Sequence, residues 1–140
     1  MRSGLDALTV LKSGADAVAD AVKVTLGPVS CGVLIENRGA APILVRDGAA
    51  VARSIALDDR FEDMGGQFMR EGILAAVQTA KDGAGTTAVI AQGIIEQGVL
   101  QIAAGANAML LARGIVEATR VAIGEIDRQA RGAPEPDMLE

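Results

Sequence analysis

Leu5, Leu8, Leu11, Ala15, Val18 and Val22 recur at spacings of three and four. That period predicts an amphipathic helix, with Asp6, Lys12, Asp16, Asp20 and Lys23 on the rest of its surface. It should end near Thr25, because Gly27 and Pro28 follow. Residues 32–36 and 43–45 are short extended runs, and the Asn37-Arg38-Gly39 turn signal between them predicts a small hairpin. Asp47 is placed to cap a short helix over residues 48–55. Asp58-Asp59 opens a longer helix, with Phe61, Met64, Phe68, Ala75 and Ala76 close to one face. Gly65, Gly66 and Gly72 weaken it locally and point to close helix packing.

Residues 81–87 break the helical pattern. From Ala88 to Ala104 the chain is apolar nearly all round, with one narrow polar stripe at Gln92, Glu96 and Gln101. Such a helix belongs in the middle of a core. Asn107 can cap a last helix in which Met109, Ala112, Val116, Ala122, Ile123 and Ile126 face inward. Glu117 with Arg120, and Glu125 with Arg128, form surface pairs one turn apart. Residues 1–131 read as one mainly α domain with a small β hairpin, and residues 132–140 as a flexible tail.

The composition narrows the chemistry. With 140 residues, half of them apolar and 22% charged, the chain can build one real core and is not a disordered segment. Thirteen Lys and Arg against 18 Asp and Glu leave a net charge of −5, which argues against nucleic acid as a partner. No apolar run reaches the length of a membrane span, and the N-terminus lacks a secretory apolar region. Cys31 is the only cysteine, so no internal disulfide forms, and a reducing, cytoplasmic setting is expected. The chain has no His, which excludes Ser-His-Asp and Cys-His catalysis and His-ligated zinc. Carboxylates, hydroxyls, glycine backbone and a few cations remain. They suit phosphate and Mg²⁺ chemistry better than acyl transfer.

Three segments could carry that chemistry, and each has two readings. Gly83-Ala84-Gly85-Thr86-Thr87-Ala88 matches the letters of a dinucleotide fingerprint, but that fingerprint needs a strand before it, and residues 72–81 read as helix. The same residues can still wrap a phosphate with backbone N–H groups at a helix start, with Asp82 holding Mg²⁺. Otherwise they form a plain helix–helix loop. Thr25-Leu26-Gly27-Pro28 is either a helix stop or a second backbone wall around the phosphate. Asp47, in Arg46-Asp47-Gly48, is either an N-cap or a carboxylate that orients an attacking water.

Taken in order, these segments resemble the group I chaperonins, the GroEL-like ring-forming ATPases. The resemblance is carried by residues 20–28 (Asp-Ala-Val-Lys-Val-Thr-Leu-Gly-Pro), by Arg46-Asp47-Gly48 and by Val51-Ala52-Arg53. It continues through Phe61, Glu62, Met64 and Gly65, then Asp82-Gly83 with Thr86, Ala91-Gln92, and Arg113-Gly114-Ile115. It runs from about Leu8 to Ile126 without an obvious gap. The resemblance implies an equatorial, ATP-binding domain. It implies that Thr25, Leu26, Gly27 and Pro28 line the phosphates and that Gly83, Ala84, Gly85 and Thr86 wrap them. By the same carry-over, Arg46 lies beside the nucleotide, Asp82 is the Mg²⁺ ligand and Asp47 helps to activate the hydrolytic water. A K⁺ site near the Thr25 carbonyl is implied as well.

The sequence departs from the family pattern at that site. The family loop usually reads Asp-Gly-Thr-Thr-Thr, whereas Ala84 and Gly85 stand here, so two hydroxyl donors are missing. Val29-Ser30-Cys31-Gly32 replaces a usual Lys-Gly-Arg-Asn, with the loss of two cations. A full family subunit also continues into intermediate and apical domains, where clients and co-chaperonin bind. The expected function is therefore the ATP-binding segment of a chaperonin subunit, incomplete as 140 residues. The alternative is a degenerate, non-catalytic assembly module. Either way the apolar 88–104 helix needs more neighbours than this chain supplies. An exposed apolar patch is expected, and with it self-association or docking on other chaperonin subunits.

Overall fold

The computed structural model describes residues 4–28, 31–36 and 40–130. Its elements follow in the order α1 (Gly4–Lys23), β1 (Val33–Ile35), β2 (Ile43–Val45), α2 (Gly48–Ser54), α3 (Arg60–Ala80), α4 (Ala84–Ala103) and α5 (Ala108–Gln129). The chain divides into two compact units, Met1–Ala103 and Ala104–Glu140. The mainly α class with one hairpin stands. The expected turn at residues 37–39 and the tail from Arg131 onward lie outside the described residues.

In the first unit α1 is the central element and packs on α3, α4 and α2. The core gathers Ala15, Val18, Ala19 and Val22 of α1, Ala49, Val51 and Ala52 of α2, Met69 and Ile73 of α3, and Ala84 and Ala88 of α4. Val18, Val22, Val51 and Ile73 are wholly buried. Each contributes about 1.5–3 kcal/mol of burial. The residues predicted to form the inner stripe of α1 at Ala15, Val18 and Val22 do so, while Leu5 near its start is half exposed.

The tightest packing is the crossing of α1 and α3. A Cβ on Gly65 would overlap the backbone carbonyl of Leu11, and a Cβ on Gly14 would overlap that of Glu62. Two helices meet here backbone to backbone, with a glycine on each side. This displaces the face expected of α3. Its buried residues are Gly65, Gly66, Met69 and Ile73. Met64 and Phe68 are exposed instead, Phe68 by 68%, because an approach this close leaves room only for residues without bulk. Phe68 edges an open apolar groove of about 250 Å³, shared with Leu8, Leu11, Ile95 and Val99.

The connector from α2 to α3 is held by a polar clamp. Arg70 donates from Nη1 to the Ile55 carbonyl at 2.8 Å and from Nη2 to Asp63 Oδ1 at 3.0 Å. Asp63 also accepts from the Leu57 backbone at 3.3 Å and from Gln67 at 3.1 Å. These donors, Arg70 first, hold the Asp63 carboxyl below the usual carboxylate range. Asp59 caps α3 by accepting from Phe61 and Glu62.

β1 and β2 pair antiparallel, with Val33 opposite Val45, Leu34 opposite Leu44 and Ile35 opposite Ile43. Val33, Ile35 and Val45 pack against the core, while Leu34 and Leu44 face outward. The hairpin thus delivers Arg46 and Asp47 to the start of α2.

Two helices depart from expectation. Only Ala84, Gly85 and Ala88 of α4 are buried. Val89, Ile90, Ile94 and Leu100 are exposed, because α1 and α3 cover one side of α4 and the other sides lack cover among the described residues. The second unit contains α5, capped by Asn107 as expected. None of its residues is buried. The positions expected to face inward, Met109, Ala112, Val116, Ala122, Ile123 and Ile126, are all exposed, since α5 is the single described element of its unit. The predicted Glu117–Arg120 and Glu125–Arg128 pairs are formed. No described helix is long and apolar enough to cross a membrane.

Two outcomes follow from this packing. A Gly-to-Ala change inside a helix ordinarily stabilises by about 1 kcal/mol. For Gly65→Ala the clash with the Leu11 carbonyl reverses the sign, and thermal or urea unfolding should register a net loss of about 1–3 kcal/mol. The second outcome concerns acid. A carboxyl whose folded-state pKa is depressed contributes stability above its unfolded pKa of about 3.9, and that stability is lost as pH falls through the folded value. The melting temperature should therefore drop as pH falls below about 4. The Asp63→Asn variant, less stable at neutral pH, should converge on the wild type as pH falls below about 4.

Candidate functional site

Three chain segments, far apart in sequence, end at one place. α1 stops at Lys23, and its last turn is continued by hydrogen bonds from Thr25 N–H to the Val22 carbonyl at 3.0 Å and from Leu26 N–H to the Lys23 carbonyl at 3.1 Å. The Thr25 hydroxyl donates to the same Val22 carbonyl at 2.7 Å. Gly27 then turns the chain with φ +95°, a conformation that costs glycine little and other residues more. Farther on, the Cys31 N–H donates to the Val24 carbonyl at 3.1 Å and ties the outgoing strand to the turn. Val29 and Ser30 of the departing tetrapeptide lie outside the described residues.

The second segment is Arg46-Asp47-Gly48. Asp47 is extended (φ −82°, ψ 117°), and its carboxylate accepts from the Ala49 and Ala50 backbones at 3.3 and 3.0 Å. The N-cap reading of Asp47 is therefore correct. Capping fixes the orientation of the carboxylate at the rim of the cleft, so it does not exclude the other reading. Gly48 is the meeting point of the three segments. A Cβ there would lie 2.8 Å from Thr25 Oγ1, 3.0 Å from the Ala84 Cβ and 3.3 Å from Val22 Cγ1.

The third segment corrects the expected glycine loop. Ala84, Gly85, Thr86 and Thr87 already belong to α4, so the break between α3 and α4 is only Lys81, Asp82 and Gly83. Gly83, at φ +94°, starts the helix by accepting from the Thr87 N–H at 2.9 Å. The helix starts this early because Ala84 and Gly85 are small enough to be buried, with Gly85 packed on Leu26 (a Cβ would sit 3.0 Å from Leu26 Cβ). The first N–H groups of α4 have no partner inside the helix and carry the positive end of its dipole. Asp82 Oδ1 accepts from the Gly83 N–H at 2.6 Å, which turns the carboxylate back over the helix start. Lys81, the first residue of the expected break, ends α3 in the left-handed region at φ 64°, and its backbone N–H donates to the Val77 carbonyl. A basic residue offers no signal for that backbone conformation.

Together these segments line one cleft of about 290 Å³. Its walls are Thr25, Leu26, Gly27, Arg46, Asp47, Gly48, Asp82, Gly83, Ala84, Gly85 and Thr86. All the expected site residues but one are there; Pro28 is exposed and does not line it. The size is near the lower end of ligand pockets and matches the phosphate part of a nucleotide better than a whole one. Arg46 against Asp47 and Asp82 leaves the walls with a formal charge of −1. A bare polyphosphate would meet that charge unfavourably, whereas a cation–phosphate complex would not. Among the described residues no group of three or more Asp, Glu or Cys side chains is placed to hold a metal ion. A divalent ion here would take most of its oxygen ligands from phosphate and water, as Mg²⁺ ordinarily does. The donor set therefore fits a magnesium–phosphate group.

The comparisons with known proteins agree with this architecture. The model of the TCP-1/cpn60 chaperonin family matches residues 18–138, and the chain belongs to that family. Its structure is similar to the chaperonin gp146 of the Pseudomonas aeruginosa bacteriophage EL, crystallised in the presence of ATP-BeFx. The TM-score is 0.59 at 28% identity, over 66% of this chain and 17% of that one. The chain thus spans less than a fifth of the length of that chaperonin.

The left-handed residue beside the cleft gives a direct check on the backbone. Lys81→Gly relieves a conformation that costs about 1–2 kcal/mol for a residue with a Cβ. Part of the gain is lost to the freer unfolded chain. Thermal unfolding of this variant should show a net stabilisation of about 0.5–1 kcal/mol.

Proposed function

We propose that the cleft binds ATP with Mg²⁺, and that this chain is the nucleotide-binding segment of a chaperonin subunit that couples ATP hydrolysis to assisted protein folding. The observation that carries the reading is the convergence of residues 25–27, 46–48 and 82–86 on one cleft. The Gly27 N–H at the Thr25–Gly27 turn and the first N–H groups of α4 meet the phosphate oxygens from two sides, since the Thr25 and Leu26 N–H groups are spent within the turn. Gly27 and Gly83 let the backbone come close. Asp82 holds the cation, and Arg46 offsets part of the phosphate charge. Bound Mg²⁺ supplies charge neutralisation at the phosphates. Asp47, steadied by its capping bonds, orients the attacking water. With no hydroxyl at Ala84 and Gly85, binding falls to main-chain donors together with Thr86 and Arg46.

A second reading is a non-catalytic assembly module. The exposed apolar residues of α4 and the open groove at Phe68 favour it. Contiguous apolar surface of this kind marks contact with other subunits or self-association. The two readings are separable.

Calorimetric titration with Mg-ATP should give a dissociation constant below about 1 mM, weakened about tenfold or more in Asp82→Ala. Binding weaker than that, and equal in the variant, supports the assembly reading. Light scattering over a concentration series should show association in either case. A compact monomer at high concentration would count against the apolar surface as an interface.

A further inference from the structure

One residue of the polar stripe on α4 joins it to α1, well away from the cleft. Gln92 donates from Nε2 to Asp16 Oδ1 at 3.1 Å and to Asp20 Oδ1 at 2.9 Å. Its Oε1 accepts from Lys23 Nζ at 3.3 Å. Asp16 is also paired with Lys12, and Asp20 with Lys23. One amide therefore spans nearly two turns of α1, from Asp16 to Lys23, through both of its ends. A carboxylate or an ammonium in its place could serve one side of this network only, since each lacks the donor or the acceptor that the other side needs.

The position matters because the same two helices carry opposite walls of the cleft. Lys23 is the last residue of α1, and its carbonyl accepts from Leu26 in the Thr25–Gly27 turn. Gly85 of α4 packs on Leu26. Gln92 lies seven residues past Gly85, about 10 Å along the helix, and does not line the cleft. The core residues that these helices contribute are apolar, Ala15, Val18, Ala19 and Val22 from α1 and Ala84 and Ala88 from α4, and Leu8, Leu11, Ile95 and Val99 line a shared apolar groove farther along. Apolar contacts are non-directional, whereas hydrogen bonds specify which groups stand opposite one another. The directional bonds of Gln92 fix how far α4 stands along α1.

We propose that Gln92 is a positioning residue for the nucleotide cleft, setting the register of α4 on α1 and thereby the span between the Thr25–Gly27 turn and the start of α4. The proposal rests on the nucleotide reading of that cleft. Misplacing a ligand-binding wall by a fraction of an ångström weakens binding without unfolding the protein. Gln92 belongs neither to the apolar core nor to either lysine–aspartate pair, so replacing it removes none of the groups that form them.

The test compares the wild-type chain, Gln92→Leu and Gln92→Glu by calorimetric titration with Mg-ATP, alongside thermal unfolding. Gln92→Leu should bind about tenfold more weakly with a melting temperature close to that of the wild type. Gln92→Glu keeps the acceptor for Lys23 but sets a third carboxylate against Asp16 and Asp20, with Lys12 and Glu96 the other charged groups nearby. Its deficit relative to the wild type at the same pH should be large at neutral pH and narrow only as pH falls towards about 4, where a carboxyl of ordinary pKa takes up a proton and regains a donor. A merely structural loss would not follow that profile. Equal affinity of all three proteins at every pH overturns the role of Gln92. A deficit in Gln92→Glu that stays constant with pH also overturns it. Failure of the wild-type chain to bind overturns the nucleotide reading instead.

Discussion

The crossing of α1 and α3 at Gly14 and Gly65 is the constraint from which the rest of the first unit follows. Two backbones in contact leave no freedom in the distance between the helices, and little in their angle. Val18, Ala19 and Val22 then necessarily face the inner sides of α2, α3 and α4. The end of α1 is delivered to one spot, and the turn after Lys23 meets Gly48 and Gly85 there. Tolerance at that spot is small, since each of those glycines already touches its neighbour. A larger spacing between α1 and α3 would leave Ile73 underpacked and would move the helix end away from the cleft.

Polar groups complete what close packing begins. Asp47, Asp59 and Asn107 cap three helices with their side chains. The Asp63–Arg70 pair reaches across to Ile55 and Leu57 and so fixes the short connector between α2 and α3. No described side chain is left as a buried polar atom without a partner. The cleft itself relies on backbone more than on side chains. Of its side chains, Asp47 and Asp82 both spend bonds on local helix starts.

Local rules made much of this legible. The stripe on α1, the capping residues and the hairpin runs are short-range patterns, and the helix boundaries lie within a few residues of where those patterns end. What depends on distant partners was not legible. Glycines at 65 and 66 suggested close packing, yet nothing local says that they, rather than Phe61 and Phe68, face the partner helix. The start of α4 was hidden because glycine and threonine discourage helix, while the burial of Ala84 and Gly85 against Leu26 overrides that preference. The bonds of Gln92 to Asp16 and Asp20 join residues more than seventy positions apart. The convergence of the three cleft segments was expected from the family resemblance alone, because no local pattern links Thr25 to Asp82.

The short break between α3 and α4 has a mechanical side. Lys81, Asp82 and Gly83 are the whole connection between helices of 21 and 20 residues. It acts as a fulcrum with a lever on either hand, each about 30 Å long. A tilt of about 5° at this pivot carries the far tip of α4 through about 2.6 Å. A slight change in the backbone of Asp82 and Gly83 would thus be magnified at Ala103, and the packing of α4 on α1 and α3 is what opposes it.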